Sequence, residues 1–128
     1  MRSTIRKQLF RLKDKGISIH IDALISKETG DLVIEGHDTG CVVMATFDET
    51  DYEYWLTVPK EHKYRVFELF TELDPPGVEE ANQCQKDKDR DRVLVTLIQK
   101  HFNVHNAVSK LQELCEAQGI PCKFANYI

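Results

Sequence analysis

Five ionisable side chains fall in two neighbouring stretches of the chain: His20 and Asp22 in GISIHIDALI, and Glu35, His37 and Asp38 in DLVIEGHDTG. Imidazole and carboxylate are the groups that a zinc site or a general acid/base pair uses. If the two stretches pair as a hairpin, Asp22, Glu35 and His37 share the face opposite the aliphatic residues, with Asp38 next in sequence. A metal site wants a third or fourth ligand, and only Cys41 is nearby. The solvent side of a half-buried sheet must also be polar, and Asp–His neighbours arise there without function. Asp22, Glu35, His37 and Asp38 are therefore secondary candidates for a metal or acid/base centre.

The run DETDYEYW, Asp48 to Trp55, is the stronger functional hint. In an extended segment Tyr52, Tyr54, Leu56 and Val58 point one way, and Glu53, Trp55 and Thr57 the other. Trp55 is then out of place on a simple one-sided sheet. An aromatic ring supplies a rigid anchor for an interface, and carboxylates around it select a basic partner and speed encounter. Asp51, Glu53 and Trp55 are the partner-binding candidates. The structural alternative is a covering segment that makes Trp55 second-layer core.

Other chemistry has less support. His101 and His105 are spaced i, i+4 as zinc ligands sometimes are, but no glutamate follows His101 as HExxH requires. The glycines at 30, 36 and 40 are isolated turn residues; GxGxxG, Walker and GxSxG patterns are absent, and no cofactor is expected. Cys41, Cys84, Cys115 and Cys122 fit no CxxC knuckle, so they are read as free thiols, with Cys115 on the apolar stripe of a helix.

Charge is divided unevenly. Residues 1–16 carry six basic residues against Asp14, a net of +5, which leaves −9 on the rest of a chain whose total is −4. A basic arm on an acidic body allows a nucleic-acid contact through Arg2, Arg6, Lys7 and Arg11, or an arm folded back on its own acids. No apolar run approaches the roughly 20 residues of a membrane span, and no apolar segment follows the N-terminal basic residues as in a secretory signal. A cytoplasmic protein with no membrane contact is expected.

These side chains need elements to hold them. At 128 residues the chain fits one domain. Ile5, Leu9 and Leu12 have helical spacing, which predicts a short amphipathic helix in the 1–16 arm. From Ile17 the period becomes two. Glu28-Thr29-Gly30-Asp31 supplies a turn, and a tip at Thr29–Gly30 pairs Ile25 with Ile34 and Asp22 with His37. That register, or one shifted by two, directs Ile19, Ile21, Ile25, Leu32 and Ile34 to the core. Cys41–Phe47 and Tyr52–Val58 continue as third and fourth strands of a meander.

Pro59 suits a helix's first turn, and Val66, Phe67, Phe70 and Leu73 give that helix an apolar face. Residues 74–91, including all but the last residue of the KDKDRDR run, lack an apolar period and read as a mobile loop. Leu94, Leu97, Ile98 and Phe102 mark a second helix; Val104, Ala107, Val108, Leu111, Leu114 and Cys115 mark a third. Gly119 caps it, and Cys122 to Tyr127 is short and alternating enough to return as a fifth strand. The expected fold is α+β, an antiparallel sheet with two to three helices on one face.

DLVIEGHDTG followed by DYEYWLTV resembles stretches of small bacterial proteins that mostly lack assigned activity, some of them similar to immunity proteins of toxin systems. The resemblance covers residues 31–58 and carries no functional residue with it. Together with the acidic body and Trp55 it implies a non-enzymatic, cytoplasmic protein-interaction module, in its concrete version an immunity-type binder of a basic partner. The rival expectations are a nucleic-acid-associated factor using the basic arm, and a small enzyme at the first hairpin.

Overall fold

The computed structural model describes residues 5–14, 17–39, 51–73 and 87–127, with the backbone alone for positions 14, 17, 51, 71–73, 87–89 and 127. The chain is α+β. Five strands, β1 (Arg6–Asp14), β2 (Ile17–Ile25), β3 (Leu32–Thr39), β4 (Asp51–Val58) and β5 (Lys123–Tyr127), form one antiparallel sheet in sequence order. Three helices are described: α1 (Lys63–Leu73), α2 (Asp87–His101) and α3 (Ala107–Ala117).

Two-residue alternation sets which face is which. Ile21, Ala23 and Ile25 of β2, Leu32 and Ile34 of β3, and Leu56 and Val58 of β4 are all buried. They join Val66 and Phe70 of α1, Leu94, Val95 and Ile98 of α2, and Leu111 and Cys115 of α3 in one core. The helices therefore lie on this face. The observed β2–β3 register pairs Ile25 with Leu32, Ala23 with Ile34 and Asp22 with Glu35, shifted by two residues from a Thr29–Gly30 tip. A shift of two keeps every side chain on its face, so the burial pattern is unchanged. The loop is longer than a tight hairpin: Gly30 takes φ 77°, its N–H donates to Ser26 O, and Ser26 N–H donates to Asp31 O.

Three expectations are corrected. Residues 6–14 of the arm are a sheet strand, not a helix. The register slips between Gln8 and Phe10, so Leu9 is an extra residue at a bulge, and it is buried. A bulge inverts the alternation partway along a strand, which is how Ile5, Leu9 and Leu12 acquired helical spacing. Gln99 of α2 donates to the Gln8 carbonyl there at 2.8 Å. Second, β3 pairs directly with β4; the Cys41–Phe47 strand expected between them lies outside the described residues. Third, α2 begins at Asp87, so the last residues of the expected 74–91 loop are helical, while 74–86 lie outside the described residues.

The remaining ends follow local rules. Pro59 precedes α1 rather than entering it: its carbonyl accepts from His62 N–H in a turn, and α1 starts at Lys63. Gly119, φ 68°, ends α3 with Ile120 N–H on Cys115 O and Gly119 N–H on Glu116 O, the paired bonds of a Schellman cap. No helix among the described residues is long and apolar enough to cross a membrane.

Candidate functional site: the face of the sheet opposite the described helices

The side chains that alternate with the core residues collect on the opposite face of the sheet. Across the strands, Asp22 stands beside Glu35 and Glu35 beside Trp55; His20 stands beside His37 and His37 beside Glu53. The hairpin cluster and the acidic-aromatic run, separate in sequence, are thus one surface. Direct antiparallel neighbours have Cβ atoms about 5 Å apart, close enough to act on a common ligand.

Arg6 joins them from β1. Its Nη1 lies 2.6 Å from Asp22 Oδ2 and 2.6 Å from Glu35 Oε1. His20 Nε2 is 2.9 Å from Asp22 Oδ1, so both oxygens of the buried Asp22 carboxylate are engaged. Partial burial alone would lower the Arg6 pKa, but the hydrogen bonds to Glu35 and Asp22 outweigh it and the value is raised. This is the arm folded back on its own acids, and its missed signal was the β1 register.

Trp55, half-buried, separates two shallow depressions. One, of about 390 Å³, is bordered by Arg6, Asp22, Glu35, His37 and Glu53; the other, of about 490 Å³, by Thr57, Pro59, Pro121, Lys123 and Ala125. The first is polar and mainly anionic on its β3–β4 side, the second largely apolar. Ala125 is the cross-strand neighbour of Trp55, and its small side chain leaves the indole accessible from β5.

The predicted site residues divide accordingly. Asp22, Glu35, His37, Glu53 and Trp55 come together. Asp51 pairs with Thr39 at the start of β4, and its side chain lies outside the described residues. Asp38 does not join them: it pairs with Ile19 and Tyr52 on the helix side, where Tyr54 Oη donates to its Oδ1 at 2.9 Å. Among the described residues no three His, Cys, Asp or Glu side chains converge as metal ligands would. His101 and His105 share no helix face, because α2 ends at His101; the first packs on Phe70 and the second on Phe10.

The basic residues are likewise spread out. Arg2 lies outside the described residues, Lys7 pairs with Ala23 and Arg11 with His20, so the latter two leave the strand on opposite faces. Cys115 and Cys122 are free thiols; burial pushes Cys115 up to about 12 and also raises Cys122, which leaves neither activated as a nucleophile. Cys41 and Cys84 lie outside the described residues.

Fold and site together define a class: a small α+β domain whose sheet is covered by helices on one side and presents carboxylates around a tryptophan on the other. Comparison with protein-family models, with curated proteins and with solved structures finds no match.

Proposed function

We propose that this domain is a non-enzymatic interaction module that binds a basic protein through the β3–β4 part of the face opposite the described helices, at Asp51, Glu53 and Trp55, with Glu35 beside them. The observation that carries this reading is the half-buried Trp55 set between an anionic and an apolar depression, with exposed Glu53 and the half-buried, Arg6-paired Glu35 on neighbouring strands. A partner's apolar side chain fits over the indole, and its lysine or arginine meets Glu53, with Glu35 shared between it and Arg6. Immunity-type neutralisation of a basic toxin by a bacterial, cytoplasmic protein is the concrete version; that refinement rests on the likeness of residues 31–58 alone.

The rival readings have weaker support. A nucleic-acid contact along β1 would use Arg6, already held by Asp22 and Glu35, and Lys7 and Arg11, which face apart. A hairpin enzyme would draw on Asp22, Glu35 and His37, which share a face, but Arg6 holds both Asp22 and Glu35, and Asp38 lies on the other side of the sheet.

Affinity capture from the source organism with wild-type, Trp55→Ala and Glu53→Lys protein tests the site. The expected result is a basic protein retained by the wild type at low salt and lost with either variant, at unchanged circular dichroism. Equal retention by all three proteins, or none by the wild type, sinks the assignment.

A further inference from the structure

Among the described residues, the helix-covered side of the sheet is incompletely filled at one end. A cavity of about 230 Å³ lies there between β3, β4, β5 and the first turn of α3, bordered by Asp38, Tyr52, Tyr54, Phe124, His105 and Val108 among others. Phe124 is 39 % exposed, one of two large apolar side chains so placed among the described residues. Tyr52 and Tyr54 have ring centroids 5.1 Å apart. Gly36 makes the arrangement feasible: a Cβ on it would run into Tyr54 Cε2, Cζ and Oη, so glycine lets the Tyr54 ring lie across β3 and reach Asp38.

Asp38 is the unusual member. Its carboxylate is partly withdrawn from water, and among the described residues its one hydrogen bond comes from Tyr54 and no lysine or arginine pairs with it. A carboxylate with one oxygen unpaired among the described residues, beside three aromatic side chains, matches a compact organic cation. The acid supplies the counter-charge, and aromatic rings attract cations through their quadrupoles. The amino end of α3 also borders the space, but an anion drawn there would share it with the Asp38 carboxylate.

We propose that this cavity binds an alkylammonium group, held by the Asp38 carboxylate and the side chains of Tyr52, Tyr54 and Phe124. The site is on the other side of the sheet from Trp55 and does not depend on the protein-docking reading.

Titration calorimetry and amide chemical shifts of the full chain test it with three probes: choline, its neutral isostere 3,3-dimethyl-1-butanol, and a peptide bearing trimethyllysine. We expect saturable binding of at least one cationic probe, shifts at Tyr52, Tyr54 and Val108, and binding of the neutral isostere weaker by about tenfold or more. Tighter binding of choline points to a free metabolite, tighter binding of the peptide to a modified protein. Asp38→Asn, which keeps the Tyr54 hydrogen bond, and Phe124→Ala, at an exposed position, should each weaken binding by about fivefold to tenfold. Trp55→Ala should leave it unchanged. Equal binding of choline and its isostere, undiminished binding by Asp38→Asn, or no saturable binding of either cation overturns the proposal.

Discussion

Asp38 shows how a single side chain can work against the stability of the fold that holds it. Burial raises its pKa, and the hydrogen bond from Tyr54 and the proximity of His37 only partly offset that. A folded-state value above the unfolded one means that folding favours the protonated acid. The favourable contribution is complete below the ordinary value near 3.8 and is lost as pH rises through the raised value. At neutral pH the ionised group therefore opposes folding. Asparagine at the same position still accepts from Tyr54 and carries no charge. Thermal unfolding of Asp38→Asn should accordingly show a midpoint equal to or above that of the wild type at pH 7, with the variant's advantage shrinking as pH falls toward 4. A large loss of stability at pH 7 would mean that the carboxylate is a structural acceptor, which would remove the functional motive for keeping an acid there.

At the scale of elements, the helices are tied to the sheet by a buried ion pair that no periodicity reveals. Lys63 of α1 and Asp91 of α2 are 6 % and 7 % exposed. Lys63 Nζ lies 3.0 Å from Asp91 Oδ1 and donates at 2.9 Å to the carbonyl of Gly30 in the β2–β3 loop, while Tyr64 Oη donates to Asp91 Oδ1. One cluster thus fixes two helices and a hairpin loop. Removing one partner leaves a desolvated charge, so Lys63→Met or Asp91→Leu should cost about 3–5 kcal/mol by urea unfolding. The double variant should recover much of that loss; additive losses would show that the pair contributes no coupling. The same cluster explains a limit of sequence reading. In the KDKDRDR run only the tertiary role of Asp91 marks a helix, because alternating charges carry no apolar period. Where period was present, at Ile19 to Ile34 and at Leu94 to Cys115, faces and helices were legible. Parity fixed which side Asp22, Glu35, His37, Glu53 and Trp55 occupy, although their union into one surface required the β3–β4 pairing. Asp38, next in sequence to His37, falls on the other side of the sheet, since adjacent strand residues point to opposite faces.

At the scale of the whole molecule, the division into a basic arm and an acidic body dissolves. β1 contributes the buried Leu9 to the core, hydrogen-bonds along β2, and sends Arg6 across to Asp22 and Glu35. The charge asymmetry in the sequence is therefore neutralised in part within the fold. Deleting residues 1–14 would expose the β2 edge and remove a buried leucine, a loss of about 2–5 kcal/mol for the side chain alone. An unpaired edge of this length also invites association. The deletion should therefore yield a destabilised, self-associating protein by size-exclusion chromatography and thermal melting, whatever it binds. Lys7→Glu with Arg11→Glu changes exposed charges without touching Leu9, and should leave the melting temperature within a few degrees. A truncated chain that stays monomeric and melts like the full chain would show β1 to be an appendage after all, and would reopen the reading of residues 1–16 as an arm available to nucleic acid.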